Sequence, residues 1–262
     1  MSVSFTVAVI GLGEAGSMIA YDLVRAGVRV RGWDPAPRGD VSQIPLTKNG
    51  REAAEQADVI LSINAASVAL VVAHDLLPVL RAGQIFADLN TSAPALKREL
   101  ATLIEPVGAS FVDVALMAPV PGHGLRTPVL ASGPGASAFR ELFTPLGMPI
   151  TCIDEQAGSA AQRKLLRSIF MKGLAAAVIE SMEAADKAGC QEWMRSEISN
   201  QLIEADAALL DRLIEGSRKH AVRRIEEMIA ATDLLHDLNV EPRIAQAALG
   251  WLQELAKSAS YD

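Results

Sequence analysis

Val7-Ala8-Val9-Ile10-Gly11-Leu12-Gly13-Glu14-Ala15-Gly16 runs from an apolar strand through three glycines into the helical pattern Met18-Ile19-Ala20-Tyr21-Asp22-Leu23-Val24. Strand, glycine turn and helix in this order form the phosphate-binding opening of a dinucleotide fold. Gly11 allows the tight turn, Gly13 lets the backbone approach a pyrophosphate, and Gly16 lets the helix pack closely on the strand. The unpaired amides of the helix start, at Leu12, Glu14 and Ala15, and the positive end of its dipole then face the phosphates.

The next apolar run, Val28-Arg29-Val30-Arg31-Gly32-Trp33, ends in Asp34, 18 residues past Gly16. An acid about 20 residues beyond the motif binds the adenosine ribose hydroxyls. Such a carboxylate repels a 2′-phosphate, so NAD is favoured over NADP. Arg31 and Arg38 keep NADP open, because either can swing toward a 2′-phosphate; each also reads as a solvated surface arginine.

Composition narrows the remaining classes. The chain has 262 residues, half of them hydrophobic and 21% charged, as expected of a globular protein with a substantial core. A net charge of -7 argues against nucleic acid as a partner, since phosphate backbones are held by clustered Lys and Arg. The longest uncharged run, Val59 to Ala73, has 15 residues, short of the roughly 20 needed to span a bilayer, so no membrane partner is expected. No secretion signal is read at the N-terminus, and two widely spaced cysteines, Cys152 and Cys190, give no disulfide framework. A cytoplasmic protein is expected. His74, His123, His220 and His236 lack metal-ligand spacing, so no metal site is expected.

Up to about residue 156 short apolar runs alternate with helical patterns. The expected strands are Val7 to Ile10, Val28 to Trp33, Val59 to Ile63, Gln84 to Leu89, Ser110 to Ala115, Pro128 to Ser132 and Pro149 to Ile153. The expected helices between them are Glu52 to Ala57, Ser67 to Leu80, Ala93 to Glu105 and Ala136 to Phe143. Such alternation predicts a doubly wound, mostly parallel α/β sheet of Rossmann type joined by right-handed crossovers. Asn64, just past the third strand, joins the cofactor contacts. From residue 157 to 262 helical spacing takes over, with one proline, Pro242. Four helices are expected: about Ala160 to Ala188, Gln191 to Ile214, Ser217 to Asp237 and Pro242 to Lys257. The expected division is therefore 1–156, a dinucleotide-binding domain, and 157–262, an all-helical domain for substrate and dimerisation.

An oxidoreductase also needs a proton-transfer group. Lys164 lies early in the long helix, with Arg167, Ser168 and Met171 on its face at steps of 100° and Lys172 about 80° round. A lysine enclosed beside a cationic nicotinamide loses solvation and meets like charge, and both effects favour its neutral, basic form. Taken alone, Lys164 reads more readily as a solvated helix lysine.

Gly158-Ser159-Ala160-Ala161-Gln162-Arg163-Lys164-Leu165-Leu166-Arg167-Ser168, followed by Glu180 and Gly189, resembles the interdomain helix of the β-hydroxyacid dehydrogenase family, whose pattern there is GxGxxxKxxNN, then Glu, then Gly. The family includes 3-hydroxyisobutyrate and 6-phosphogluconate dehydrogenases. Asp88-Leu89-Asn90-Thr91-Ser92-Ala93-Pro94 is similar to its serine-threonine loop near the nicotinamide. Asp113-Val114-Ala115-Leu116-Met117-Ala118-Pro119 lies where it has DAPVSGG. With the glycine turn, the resemblance covers about residues 5 to 190. It implies Lys164 as catalytic lysine, Asn90 and Thr91 near nicotinamide and substrate, and Met117, Ala118, Pro119, Arg167, Ser168 and Lys172 as substrate contacts.

Three departures stand out. Ala160 replaces the second glycine, Arg167-Ser168 replaces the asparagine pair, and Met117-Ala118-Pro119 replaces the substrate loop. The reaction type therefore carries over further than the substrate. Arg167 is expected to hold a small acidic substrate through two parallel hydrogen bonds. His220, Arg223 and Arg224 read either as an anion site or as a solvated helix face with Arg223 paired to Glu227, and His123 as a loop histidine. The resemblance implies an NAD(P)-dependent oxidoreductase of small 3-hydroxy acids and a homodimer. An imine reductase and a non-catalytic NAD-binding sensor are the alternatives.

Overall fold

The computed structural model describes residues 5–258. The chain divides into two compact units, Met1–Arg167 and Ser168–Asp262. The composition changes near residue 157, but the long helix spends its first turns with the sheet, so the contact boundary falls later.

The first unit carries seven strands: β1 (Thr6–Ile10), β2 (Arg29–Trp33), β3 (Val59–Ser62), β4 (Ile85–Asp88), β5 (Ser110–Leu116), β6 (Val129–Ser132) and β7 (Ile150–Cys152). Helices α1 (Glu14–Arg25), α2 (Gly50–Glu55), α3 (Ala69–Leu76), α4 (Pro94–Ile104) and α5 (Ala136–Phe143) connect them, and α6 (Ser159–Lys187) follows. The sheet order is β2-β1-β3-β4-β5-β6-β7. A single parallel bridge from Leu46 to Gly32 lies beyond β2. Counting that bridge as a strand shortened to one residue gives the 3-2-1-4-5-6 order of a dinucleotide-binding sheet. The order reverses between β1 and β3, where ligands bind beyond the strand C-termini.

All pairings are parallel except β5 with β6. The segment joining those two strands holds only a short 3-10 turn at Gly124–Arg126. Without a crossover helix the chain returns antiparallel.

β1, β3 and β4 are buried at every position, as expected of strands covered on both faces. Alternate residues then feed two cores. Val7, Val9, Leu61, Ala87 and Val112 face Ile19 and Leu23 of α1 and Phe139 and Phe143 of α5. Ala8, Ile10, Ile60, Phe86 and Phe111 face Ala53, Ala73, Leu76, Leu100 and Ile104 of α2, α3 and α4. The helix expected over Ser67 to Leu80 is α3 flanked by 3-10 turns at Ala66–Val68 and Leu77–Val79; Pro78 in the second of these turns cannot donate to continue an α-helix.

The second unit holds the rest of α6 with α7 (Gln191–Ile203), α8 (Ala207–Lys219), α9 (Ala221–Asp237) and α10 (Arg243–Ser258). The single helix expected from Gln191 to Ile214 is in fact two. Asp206 breaks it, with extended backbone and a side chain that accepts from the Leu209 amide at 2.8 Å, and an aspartate N-cap restarts a helix without interrupting the apolar spacing. The next helix starts at Ala221 rather than Ser217, because α8 runs on to Lys219 and His220 serves as the junction. Leu235, Val240 and Ala245 form this unit's small core, packed by Ala184, Met228 and Leu238.

Glu180, an acid shared with the family pattern, has a structural task here. Its two carboxylate oxygens accept from the Ile244 and Ala245 amides at 2.7 and 2.8 Å, closing the N-terminus of α10 against α6. Glu180→Ala is expected to cost about 2 kcal/mol, the scale of a charge-assisted bond; a lowered urea midpoint checks it, and an unchanged one rejects the capping role. Arg223 and Glu227, expected as an i to i+4 pair, form no ion pair among the described residues; instead both line an open groove whose Arg224 donates to Ser217. Among the described residues no helix is long and apolar enough to cross a membrane.

Candidate active site

The three glycines of the opening turn differ in what surrounds them. Gly11 has φ +106°, and a Cβ there would lie 2.1 Å from the Ile63 carbonyl oxygen; one on Gly16 would lie 2.0 Å from the Gly11 oxygen. Those two are glycine because the protein itself leaves no room. A Cβ on Gly13 would meet nothing within 4 Å. That space opens into a groove of ≈ 580 Å³ lined by Gly13, Glu14, Ala15, Gly16, Asp34, Arg38 and Asn64 among others. Gly13 is also the N-cap of α1 and offers no side-chain cap, so the first amides of the helix stay available to an anion. The packing of the protein itself therefore gives Gly13 no steric reason to be glycine.

Asp34 closes the far side of the groove. One oxygen accepts from the Leu12 amide at 2.7 Å and the other from the Ala36 amide at 2.7 Å, so the acid shapes the glycine turn and keeps lone pairs for hydroxyls. The Leu12 amide, expected to face the phosphates, is instead spent on Asp34, and its side chain is wholly in the core. Of the two arginines that kept NADP open, Arg31 is engaged elsewhere: its guanidinium donates twice to the Glu52 carbonyl oxygen at 3.2 and 2.8 Å. Arg38 alone lines the groove. Asp34→Ser is therefore expected to weaken NADH binding about tenfold, the loss of one to two hydrogen bonds, and to weaken NADPH binding less; fluorescence titration with both reduced cofactors checks this.

At the C-terminal edge of the sheet the register aligns Ser62, Asp88, Asp113 and Ser132 in one row across β3, β4, β5 and β6. All four are buried. Two neighbouring carboxylates that are both 0% exposed require a cation, and Lys97 of α4 supplies it. Its ammonium lies 2.6 Å from Asp88 Oδ2 and 3.1 Å from Asp113 Oδ1, and donates to the Asp88 carbonyl at 2.8 Å. The Asp113 Oδ1 contact is an ion pair off the hydrogen-bond direction. Burial pushes the Asp88 carboxyl above its ordinary range, while the Lys97 ammonium and the Asn90 amide pull it back.

Two strands of contact leave this row. Asn90 donates to Asp88 and to Asn64 Oδ1, and accepts from the Asn64 amide at 2.6 Å, so the loop after β4 is fastened to the edge of the cofactor groove. Asp113 Oδ2 accepts from the Ala161 amide at 2.8 Å, and Ser132 Oγ from the Ala160 amide at 3.0 Å. A buried carboxylate thus caps the first turn of α6, where its charge complements the helix dipole. Ala160, which departs from the family's second glycine, is fully buried here.

One turn further along α6, Lys164 Nζ donates to Thr91 Oγ1 at 2.8 Å. Asn90, Thr91, Ser92, Asp113, Ala161, Lys164 and Leu165 line one small recess. The Ser92 hydroxyl is buried in it with no hydrogen-bond partner among the described residues. Met117, Ala118, Pro119 and Arg167 do not line it, and Ser168 and Lys172 belong to the second unit. His123 is a loop histidine whose Nδ1 sits 3.0 Å from the Pro119 oxygen.

The sequence reading missed Lys97 and Ser92. For Lys97 a signal existed: it shares the buried face of α4 with Leu100, Ala101 and Ile104, the spacing of an apolar stripe. A lysine in that stripe implies a buried partner acid.

Residues 6–141 match the family described as the NAD binding domain of 6-phosphogluconate dehydrogenase. The chain belongs to that family, and with it to the β-hydroxyacid dehydrogenase superfamily. Residues 185–255 match a second family, described as a domain of unknown function, DUF1932. A probable 3-hydroxyisobutyrate dehydrogenase of Mycobacterium tuberculosis (strain ATCC 25618 / H37Rv) is 28% identical over 70% of this chain and 65% of its own length. The chain thus spans just under two thirds of that relative. Among solved structures, a conserved protein of unknown function described as structurally similar to 3-hydroxyacid dehydrogenases superposes with a TM-score of 0.64 at 26% identity, over 97% of this chain and 98% of its own. The V8 variant of an imine reductase from Myxococcus stipitatus, in complex with NAD+, gives a TM-score of 0.83 at 21% identity over 97% and 94%. At that identity the likeness shows the shared fold. Membership of a family described as an NAD binding domain makes a pyridine nucleotide the cofactor class.

Proposed function

We propose that the protein is an NAD(P)-dependent dehydrogenase that moves a hydride between the nicotinamide ring and the carbinol carbon of a small 3-hydroxy acid, with Lys164 as general base and acid. The observation that carries this reading is the hydrogen bond from Lys164 to Thr91, in a recess beside Asn90, whose own bonds run to the edge of the dinucleotide groove.

The bound nicotinamide supplies the hydride acceptor. The chain supplies the rest. In oxidation the neutral amine of Lys164 takes the substrate hydroxyl proton as the carbinol C–H bond breaks, leaving a ketone and an ammonium; reduction runs the same path backward. Thr91 Oγ1 fixes the Nζ position, and a hydroxyl that displaces it meets the same donor. Asn90 holds its loop against Asn64, so the reacting groups are placed before substrate arrives. Asp34 and the absence of Arg31 from the groove favour NAD; Arg38 is the residue through which NADP would be accepted. Arg167, exposed on α6, is the group offered to a substrate carboxylate.

A second copy completes this reading. The helical unit leaves Phe170 64%, Ile203 78% and Trp251 67% exposed, apolar area of the kind an obligate partner covers. Sedimentation is expected to give a homodimer at micromolar concentration, and a monomer would remove this part of the proposal.

The test of the reaction is a panel assayed with both cofactors: 3-hydroxy acids and their ketones on one side, cyclic imines on the other. Turnover on the acids and ketones is the expected result. Turnover on imines alone overturns the substrate class in favour of an imine reductase, and cofactor binding without turnover on any member favours a sensor.

A further inference from the structure

We infer that Lys97 is a positioning residue for the proton-transfer lysine, a role that rests on the dehydrogenase reading above and extends it to a residue outside the recess. Lys97 lies outside the recess that Lys164 and Thr91 line. It is completely buried, and its ammonium serves both elements that carry them. Two contacts go to Asp88, through its carboxylate and its carbonyl, at the point where β4 becomes the loop of Asn90 and Thr91. One goes to Asp113, whose other oxygen caps α6 at Ala161, one turn before Lys164. The bond from Lys164 back to Thr91 closes the circuit.

The charge count explains why a lysine is needed there. Asp88 and Asp113 are side by side in register on parallel strands and fully buried. Without a cation between them one carboxylate must take a proton, and an acid at position 113 that no longer faces Lys97 is free to turn from the α6 amides. Helix start and loop would then move independently. The donor and acceptor of the Lys164–Thr91 bond are on those two elements, so their separation depends on Lys97. A misplacement of about 1 Å at reacting groups costs on the order of 100-fold in rate. The glycine turn and Asp34 lie outside this circuit, which reaches the groove only at its edge through Asn90 and Asn64, so cofactor affinity is expected to change little.

The experiment compares Lys97→Met, Lys164→Ala and the two combined in the full-length protein. Lys97→Met is expected to lower kcat about 100-fold with NADH affinity changed less than threefold. Combined with Lys164→Ala it is expected to add no further loss, because it acts through that lysine; two losses that multiply would overturn the proposal. Acylation of Lys164 by an activated acetyl ester, followed by mass spectrometry, needs no substrate. Its rate is expected to rise at least threefold in Lys97→Met as Lys164 leaves Thr91. An unchanged rate overturns the proposal, whether or not the wild-type protein proves to be a dehydrogenase. If Lys97→Met does not fold, the charge-balanced pair Lys97→Met/Asp88→Asn takes its place in both measurements. Collapse of that pair as well would make the network a folding element and end the positioning role.

Discussion

Lys164→Ala is expected to reduce turnover by about 10³-fold, within the range of a lost general acid or base, with dinucleotide affinity unchanged within threefold. The residue sits half-buried on α6, and alanine is the best helix former, so the substitution removes the amine without disturbing the helix. Its bond to Thr91 ties it to the loop after β4; the glycine turn and Asp34 lie elsewhere in the sheet. Lys164→Arg separates two explanations. It keeps the positive charge but cannot give up its proton near neutral pH, so it should be nearly as slow as the alanine variant if Lys164 acts as a base. Recovery of most of the activity in Lys164→Arg would mean that the charge alone matters. Steady-state kinetics with a separate fluorescence titration of NADH would decide between them.

Gly13→Val is expected to raise the dissociation constant for the dinucleotide at least 100-fold, about 2.7 kcal/mol, while leaving fold stability within about 0.5 kcal/mol. Position 13 has extended backbone, φ -69° and ψ -166°, which valine adopts, and nothing within 4 Å for a new Cβ to strike. Whatever is lost must therefore be lost to the ligand. Gly11→Ala should behave in the opposite way. Its φ of +106° and the Ile63 carbonyl at 2.1 Å make it destabilising before any ligand arrives. A thermal melt and a binding titration on both variants give two independent readouts, and a Gly13→Val protein that binds NADH normally would remove the pyrophosphate from this turn.

The dinucleotide half of the site was legible because its determinants are local. Gly11, Gly13 and Gly16 lie within one turn of chain, and Asp34 follows at the end of the next strand, so spacing alone defined them. Buried strands also declared themselves, since β1, β3 and β4 are apolar apart from one polar residue each at an end, Thr6, Ser62 and Asp88. The break at Asp206 was harder to see: apolar spacing ran through it, and a single aspartate served as cap. The antiparallel β6 depended on a connection with no helix, a matter of what the linking segment lacks.

The sequence by itself determined the sheet-forming half, the glycine turn and its acid, and the presence of a lysine early in a long helix, because each follows from backbone sterics or periodicity over a few neighbouring residues. Only the tertiary structure decided what that lysine meets. Thr91 is 73 positions from Lys164, and Asp113 is 48 from the amide it caps. Likewise Arg31 was withdrawn from the cofactor groove by a carbonyl on α2, and Asp88, Asp113 and Lys97 became one buried network when strand register put two acids side by side. Contacts of that kind depend on which elements become neighbours, and the free energy of burying charge then selects the partner that makes them tolerable.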